Sequence, residues 1–260
     1  MSSTTAASPI APVALIAGRL PRASHVLVVT ARPGQESADL GGLLYAFRRA
    51  GASLALLCLT RGEASPLNST LYGRLEAVRP WELQLAASVL GISQVTMASY
   101  PDGELHAQPV VELIGRVRRA IDQQSADLLL VIDPAGDPDD TAVAVAACAA
   151  ARQAGVPVLA HAAPSAQTDT DASTGIIDGT STRAGISDGT RTSADTWTIN
   201  LGADAETARA IQKSAAAAHV SQSQSLPELI GRLDLLDDRE RLRWLLPAPH
   251  WMTAAEAALR

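Results

Sequence analysis

Cysteine, histidine and long apolar runs are all scarce in this chain of 260 residues, which has two cysteines and five histidines. Cys58 and Cys148 each lie in an apolar segment and read as reduced core thiols rather than as a disulfide framework. No apolar run reaches the roughly 18 residues that a membrane span needs, so no span is expected. The first 22 residues are rich in Ser, Thr, Ala and Pro and lack the basic start and continuous apolar centre of a secretory signal, which makes the cytoplasm the expected location. The net charge of -6 is mild and dispersed. Arg48-Arg49 and Arg116-Arg118-Arg119 read as solvated helix faces, so no basic stripe remains for a nucleic-acid surface.

What is abundant is alternation. Short, nearly continuous apolar runs at 25–30, 53–60, 94–98, 126–132 and 156–160 predict strands covered on both faces. Helical patterns at 38–50, 74–90, 109–124 and 139–154 separate them, and Gly51, Gly91 and Gly155 stand at three of the helix stops. This order predicts an α/β fold with a Rossmann-like, doubly wound, mainly parallel sheet and helices on both faces. A single domain over 23–260 is expected, preceded by a loose tail at 1–22. The run 165–194 is rich in Thr, Ser, Asp and Gly with almost no large apolar residue, and it predicts a surface loop or short hairpin. A strand at 197–201, a helix at 205–221 and a closing segment at 239–246 follow.

Three segments stand at the ends of apolar strands, where open α/β sheets place their chemistry. They are Ala31-Arg32-Pro33-Gly34-Gln35-Glu36, Leu59-Thr60-Arg61-Gly62-Glu63 and Gly136-Asp137-Pro138-Asp139-Asp140. With them go Arg79 and Glu82 ahead of Ala86-Ala87 and Leu90-Gly91, the turn Tyr100-Pro101-Asp102-Gly103, Ala218-His219-Val220-Ser221-Gln222, and a closing segment from Glu240 to Pro247. Taken in this order, the segments resemble the LmbE/PIG-L family of zinc-dependent N-deacetylases, whose first motif is A-H-P-D-D-E and whose later motif is H-P-D-H. The frame of both motifs is present, and neither contains a histidine.

The resemblance implies a metal site that has been rewritten. The family's first His ligand falls on Arg32, its Asp base on Gly34, its Asp ligand on Gln35 and its last His ligand on Asp140. Asp137 and Asp139 take the first His and the Asp of the later motif. Arginine has no lone pair to give a metal, glycine has no side chain to act as base, and glutamine is a poor zinc ligand. Asp140 alone does not hold zinc, so loss of zinc is expected, with no other cofactor in its place. Arg61, Glu63, Arg79, Asp102 and His219 remain as candidate ligand-binding residues.

The other histidines (His25, His106, His161 and His250) read as surface or structural groups. Asp133, Asp137, Asp139 and Asp140 offer oxygens that suit a hard cation, or else form a solvated turn that caps the following helix. Arg32 either forms an ion pair with Asp140, with Asp139 or Glu36 as a second partner, or points to solvent. Two functions stand side by side. One is a non-catalytic family member that binds a sugar-like or amide ligand, or a partner, with homo-oligomerisation left open. The other is an active hydrolase of N-acyl amino sugars or related amides, using a relocated metal site.

Overall fold

The predicted runs become strands because each is sealed between two layers of helix. The structure, a computed structural model, describes residues 20–64, 75–134, 136–162, 196–221 and 226–247. The expected tail, over residues 1–19, and the expected loop at 165–194 lie outside the described residues. β1 (His25–Thr30), β2 (Ser53–Thr60), β3 (Gln94–Tyr100), β4 (Leu128–Ile132) and β5 (Val158–Ala162) pair in parallel. β6 (Thr196–Asn200) and β7 (Arg239–Leu246) complete a seven-stranded sheet in the order β3-β2-β1-β4-β5-β7-β6. β7 runs antiparallel to both of its neighbours. The fold is therefore the α/β arrangement expected, with a mixed but mainly parallel sheet.

Seven helices occur among the described residues: α1 (Gln35–Ala38), α2 (Gly41–Arg49), α3 (Leu75–Leu90), α4 (Val110–Gln124), α5 (Pro138–Ala154), α6 (Ala205–Ala217) and α7 (Leu226–Asp234). On one face of the sheet, Leu113, Val117 and Ile121 of α4 and Val143, Ala146 and Ala150 of α5 pack on Leu27, Val29, Leu129 and Val131. The opposite face packs Leu43, Leu44 and Phe47 of α2, Leu83 and Leu90 of α3 and Ala215 of α6 on Val26, Val28, Leu56 and Leu130. Period-2 side-chain alternation thus feeds two cores, which is why the strands read as unbroken apolar runs.

One expected helix starts later than its pattern. The helix expected at 38–50 is α2, and a short helix not expected, α1, precedes it with Asp39 and Leu40 between them. Part of the reason is tertiary. The carbonyl of Ala38 accepts from Gln212 Nε2 at 2.9 Å, and the next turn passes so close to α6 that a Cβ on Gly41 would meet Gln212 Cγ at 2.6 Å. A Cβ on Gly42 would strike both Arg209 and Glu240. The glycine pair is there for close approach. α7 and the antiparallel placement of β7 have no counterpart in the sequence reading.

The strand order fixes where chemistry can sit. From β1 the chain steps outward to β2 and β3, then returns across β1 to place β4 on its other side. The segments leaving β1 and β4 therefore diverge at the switch point, where such sheets open a crevice at their carboxyl ends.

Phe47 is fully buried in the second of the two cores. Phe47→Ala is expected to cost about 3–5 kcal/mol, read as a fall in the denaturation midpoint. Val111→Ser, on the exposed side of α4, is expected to stay within about 0.5 kcal/mol of the parent.

Candidate functional site

The segment after β1 turns at Gly34, whose φ of 98° lies in the left-handed region open to glycine. That turn aims three successive groups in different directions. Arg32 Nη2 donates to Asp137 Oδ2 at 2.5 Å, with both side chains still partly open to solvent. Gln35 turns back on its own loop: its Oε1 accepts from the amides of Ala31 at 3.0 Å and Arg32 at 3.1 Å. Its Nε2 donates to Asp140 Oδ1 at 2.9 Å. Glu36 points inward, wholly buried, and accepts from His219 Nε2 at 2.7 Å, Ser37 Oγ at 2.6 Å and Gly34 N at 2.8 Å.

Asp137 is the N-cap of α5. Its carboxylate takes the amides of Asp139 at 2.9 Å and Asp140 at 3.1 Å, and Pro138 occupies the first helical position. This capping role decides the ion pair. Arg32 meets the cap carboxylate at the mouth of the turn, while Asp140, inside the first helical turn, is taken by Gln35. The expected Arg32–Asp140 pair is therefore corrected to Arg32–Asp137, and neither Asp139 nor Glu36 is a second partner. Burial works against the Arg32 guanidinium, but the charge of Asp137 outweighs it and raises the group above its ordinary value. Burial also opposes the Asp137 carboxylate, yet the Asp140 amide and Arg32 hold it below the usual carboxylate range.

The four aspartates weighed as a cation site go four ways. Asp133 forms a two-pronged pair with Arg243, including Nε to Oδ2 at 2.9 Å. Asp139 is buried and accepts from the amides of Gly103 at 2.8 Å and Leu105 at 2.9 Å, with His106 Nδ1 at 3.4 Å. Of the two alternatives, the helix-capping turn is the one that the geometry supports.

The candidate ligand-binding residues are mostly engaged with one another. Asp102 accepts from Thr60 Oγ1 at 3.2 Å and the Ala64 amide at 3.0 Å, while its own amide donates to Glu63 Oε1 at 3.1 Å. Arg79, buried on α3, donates to the carbonyl of Gly62. Glu82 accepts from the amide and the hydroxyl of Ser221, at 2.5 and 2.6 Å. Arg61 is half-buried at the end of β2.

Sequence reasoning missed a second buried network beside this one. His161, read as structural, stands in β5 and is 3 % exposed. Its Nε2 donates to Glu240 Oε2 at 2.6 Å, and Glu240 Oε1 accepts from Arg209 Nη1 at 2.7 Å. Arg209 also donates to Gln212 Oε1 at 2.7 Å. Asp39, which closes α1, is pushed up to about 6 by burial, with His161 and Arg232 acting against the rise and Asp140 and Glu36 adding to it. The only available signal was a polar residue, Asp39, directly before the apolar face of a helix.

Comparison with known proteins now bears on this arrangement. Residues 27–151 match the family model PIG-L, described as GlcNAc-PI de-N-acetylase. That segment, just under half of the chain, resembles the PIG-L family. A probable N-acetyl-alpha-D-glucosaminyl L-malate deacetylase 2 of Bacillus anthracis is 30% identical over 131 residues, covering 47% of this chain and 58% of that protein. The chain thus spans little more than half the length of that curated relative. A conserved protein of Thermus thermophilus superposes with a TM-score of 0.60 at 19% identity, over 86% of this chain and 95% of its own. The N,N'-diacetylchitobiose deacetylase of Pyrococcus horikoshii gives 0.61 at 16% identity, over 86% and 84%. At those identities the two structures establish the fold alone.

The donor set at the ligand positions does not fit zinc. The guanidinium of Arg32 is a fixed cation paired to Asp137, and the one Gln35 oxygen is already taken by two amides. Among the described residues, no three His, Cys, Asp or Glu side chains converge as a metal would require.

Asp39 gives this site a pH signature. Its folded value lies above the ordinary one, so its contribution is fully present below about pH 4 and is lost as the pH rises through about 6. The groups facing it are Glu36 on its own helix, His161 on β5, Asp140 on α5 and Arg232 on α7. Asp39→Asn is expected to raise stability by about 1–3 kcal/mol at pH 8 and by nothing at pH 4, measured by thermal denaturation across that range.

Proposed function

We propose that this protein is a PIG-L family member that binds a sugar-like or amide ligand, or a protein partner, in the cleft at its sheet's switch point, without zinc-dependent hydrolysis. The observation that carries this is the pairing of Arg32 with Asp137 beside that of Gln35 with Asp140. Hydrolysis of an amide in the family's manner asks for a Lewis acid and a nearby base. Here a cation with no lone pair stands at one ligand position, a glutamine committed to its own backbone at another, and a glycine at the base. The substitutions are matched to each other, because the charge that Arg32 brings is met by a carboxylate at each motif position it faces. The surrounding frame persists, through Asp102 on Thr60, Arg79 on Gly62, and Glu82 on Ser221.

The ligand class is taken from the names of the similar proteins, a probable N-acetyl-alpha-D-glucosaminyl L-malate deacetylase and an N,N'-diacetylchitobiose deacetylase. Cytoplasmic residence belongs to the same proposal. No helix among the described residues is long and apolar enough to cross a membrane.

Elemental analysis of the purified chain is expected to find well under one zinc per molecule. Added zinc is expected to leave the melting temperature unchanged, since only specific binding to the folded state would raise it. No acetate should be released from N-acetylglucosamine. The fourfold variant Arg32→His, Gly34→Asp, Gln35→Asp and Asp140→His is expected to gain stoichiometric zinc. Stoichiometric zinc in the parent, removed by a chelator together with hydrolytic activity, would overturn the proposal in favour of a relocated metal site.

A further inference from the structure

A cavity of about 280 Å³ opens between α2 and the chain that leaves β6, and it shares no residue with the switch-point segments. Its polar wall is made by Tyr45 and Arg49 of α2 and by Asn200 and Asp204, which flank the turn between β6 and α6. The rest of the lining is aliphatic: Leu20, Ala46, Ile199 and Leu201.

The polar groups are mostly donors with nothing to donate to. Tyr45 is 9 % exposed, and its hydroxyl has no hydrogen-bond partner among the described residues, although the oxygen is not sealed from solvent. A buried phenol ordinarily finds a partner. Here it opens on the cavity that the residue lines. Arg49 gives only its Nε to Asp204 Oδ2, at 3.4 Å, and its Nη1 and Nη2 have no hydrogen-bond partner among the described residues. Asp204 stands at the N-cap of α6, yet its side chain takes none of that helix's amides and is spent on the guanidinium instead. Asn200 Oδ1 accepts from the Gly202 amide at 2.6 Å, which leaves the Nδ2 hydrogens as the free end of that side chain.

We infer that this cavity binds a small aliphatic carboxylate, with its tail on the aliphatic wall and its head on Arg49 and the Tyr45 hydroxyl. A carboxylate brings acceptors only, and the two nitrogens of the guanidinium edge match its two oxygens. An ammonium ligand would bring donors to a wall of donors, where the one counter-charge, Asp204, is already held by Arg49. An alcohol of the same length would fill the aliphatic part and leave the guanidinium unmet. The Arg49–Asp204 pair is exposed on both sides, so turning the guanidinium toward a ligand costs little. The volume lies just below the roughly 300–1,000 Å³ of sites for drug-sized molecules, which limits the ligand to a short chain.

The test is a ligand-observed NMR titration on the full chain at pH 7, with hexanoate, hexanol and hexylamine as probes. Hexanoate is expected to saturate a site and to bind about fivefold or more tightly than hexanol, the effect of a charge-assisted contact at a partly open site. Hexylamine is expected to bind more weakly than hexanoate. Arg49→Gln is expected to erase the preference for hexanoate over hexanol, and Tyr45→Phe to weaken hexanoate about threefold or more. Neither substitution removes a hydrogen bond that the core depends on, so both variants are expected to melt near the parent without ligand. Hexanoate that does not saturate, equal affinity for hexanoate and hexanol, a preference for hexylamine, or either variant binding hexanoate as the parent does would overturn the inference. Because no lining residue belongs to the switch-point segments, the result is independent of whether the chain hydrolyses an amide.

Discussion

One buried contact holds the ends of this fold to its centre: Glu36 against His219, 183 positions apart in sequence. The carboxylate is completely enclosed, and burial alone would push it toward the neutral acid. The charge and hydrogen bond of His219, the Ser37 hydroxyl and the Gly34 amide reverse that and hold it below the usual carboxylate range. Because the acceptor also binds the Gly34 amide, the same contact fixes the left-handed turn from which Arg32 and Gln35 project. Losing one member would leave the other buried and unpaired, which costs several kcal/mol in comparable settings. The geometry at the sheet's carboxyl edge is thus set from the far end of the chain.

The neighbouring polar contacts repeat that design. Glu82 of α3 clasps Ser221, two residues past His219, and Arg79 of the same helix clasps the loop after β2. Asp139 gathers the amides of the 103–105 turn, and Asp102 gathers those of the loop after β2. Most of the charged side chains that crowd this edge spend their hydrogen bonds on backbone amides. Such contacts position loops and outlast any change of chemistry at their centre. On the proposed reading, this is how the frame persists while Arg32, Gln35 and Gly34 stand at the family's ligand and base positions.

The five parallel strands were legible because burial on both faces leaves a continuous apolar run. β1 and β2 match their expected bounds to the residue. The helix over 38–50 was legible in kind but not in its start, since that start depends on Gln212 reaching Ala38 from a distant helix. At the site, the existence of an ion pair at Arg32 was readable from charge. Its partner was not. Choosing Asp137 over Asp140 depends on which aspartate caps α5, a matter of one backbone turn. His161 was read as a surface or structural group, but its partner was not legible because nothing local to it announces Glu240, 79 residues away; Asp39 escaped notice because its neighbours come from four separate elements.

The position of β7 has a consequence for how the molecule is made. In the finished sheet β7 lies between β5 and β6, although it is the last strand in sequence among the described residues. Among the described residues β6 has no hydrogen-bonded neighbour other than β7, so while the chain is being synthesised it emerges before the strand it pairs with. The edge of β5 is likewise bare until residues 239–246 leave the ribosome. Closing the sheet is therefore a late, long-range event, with the entropic delay that non-local pairing carries. Until then the nascent chain displays an open parallel edge, the kind of surface on which chaperones and misassembly compete.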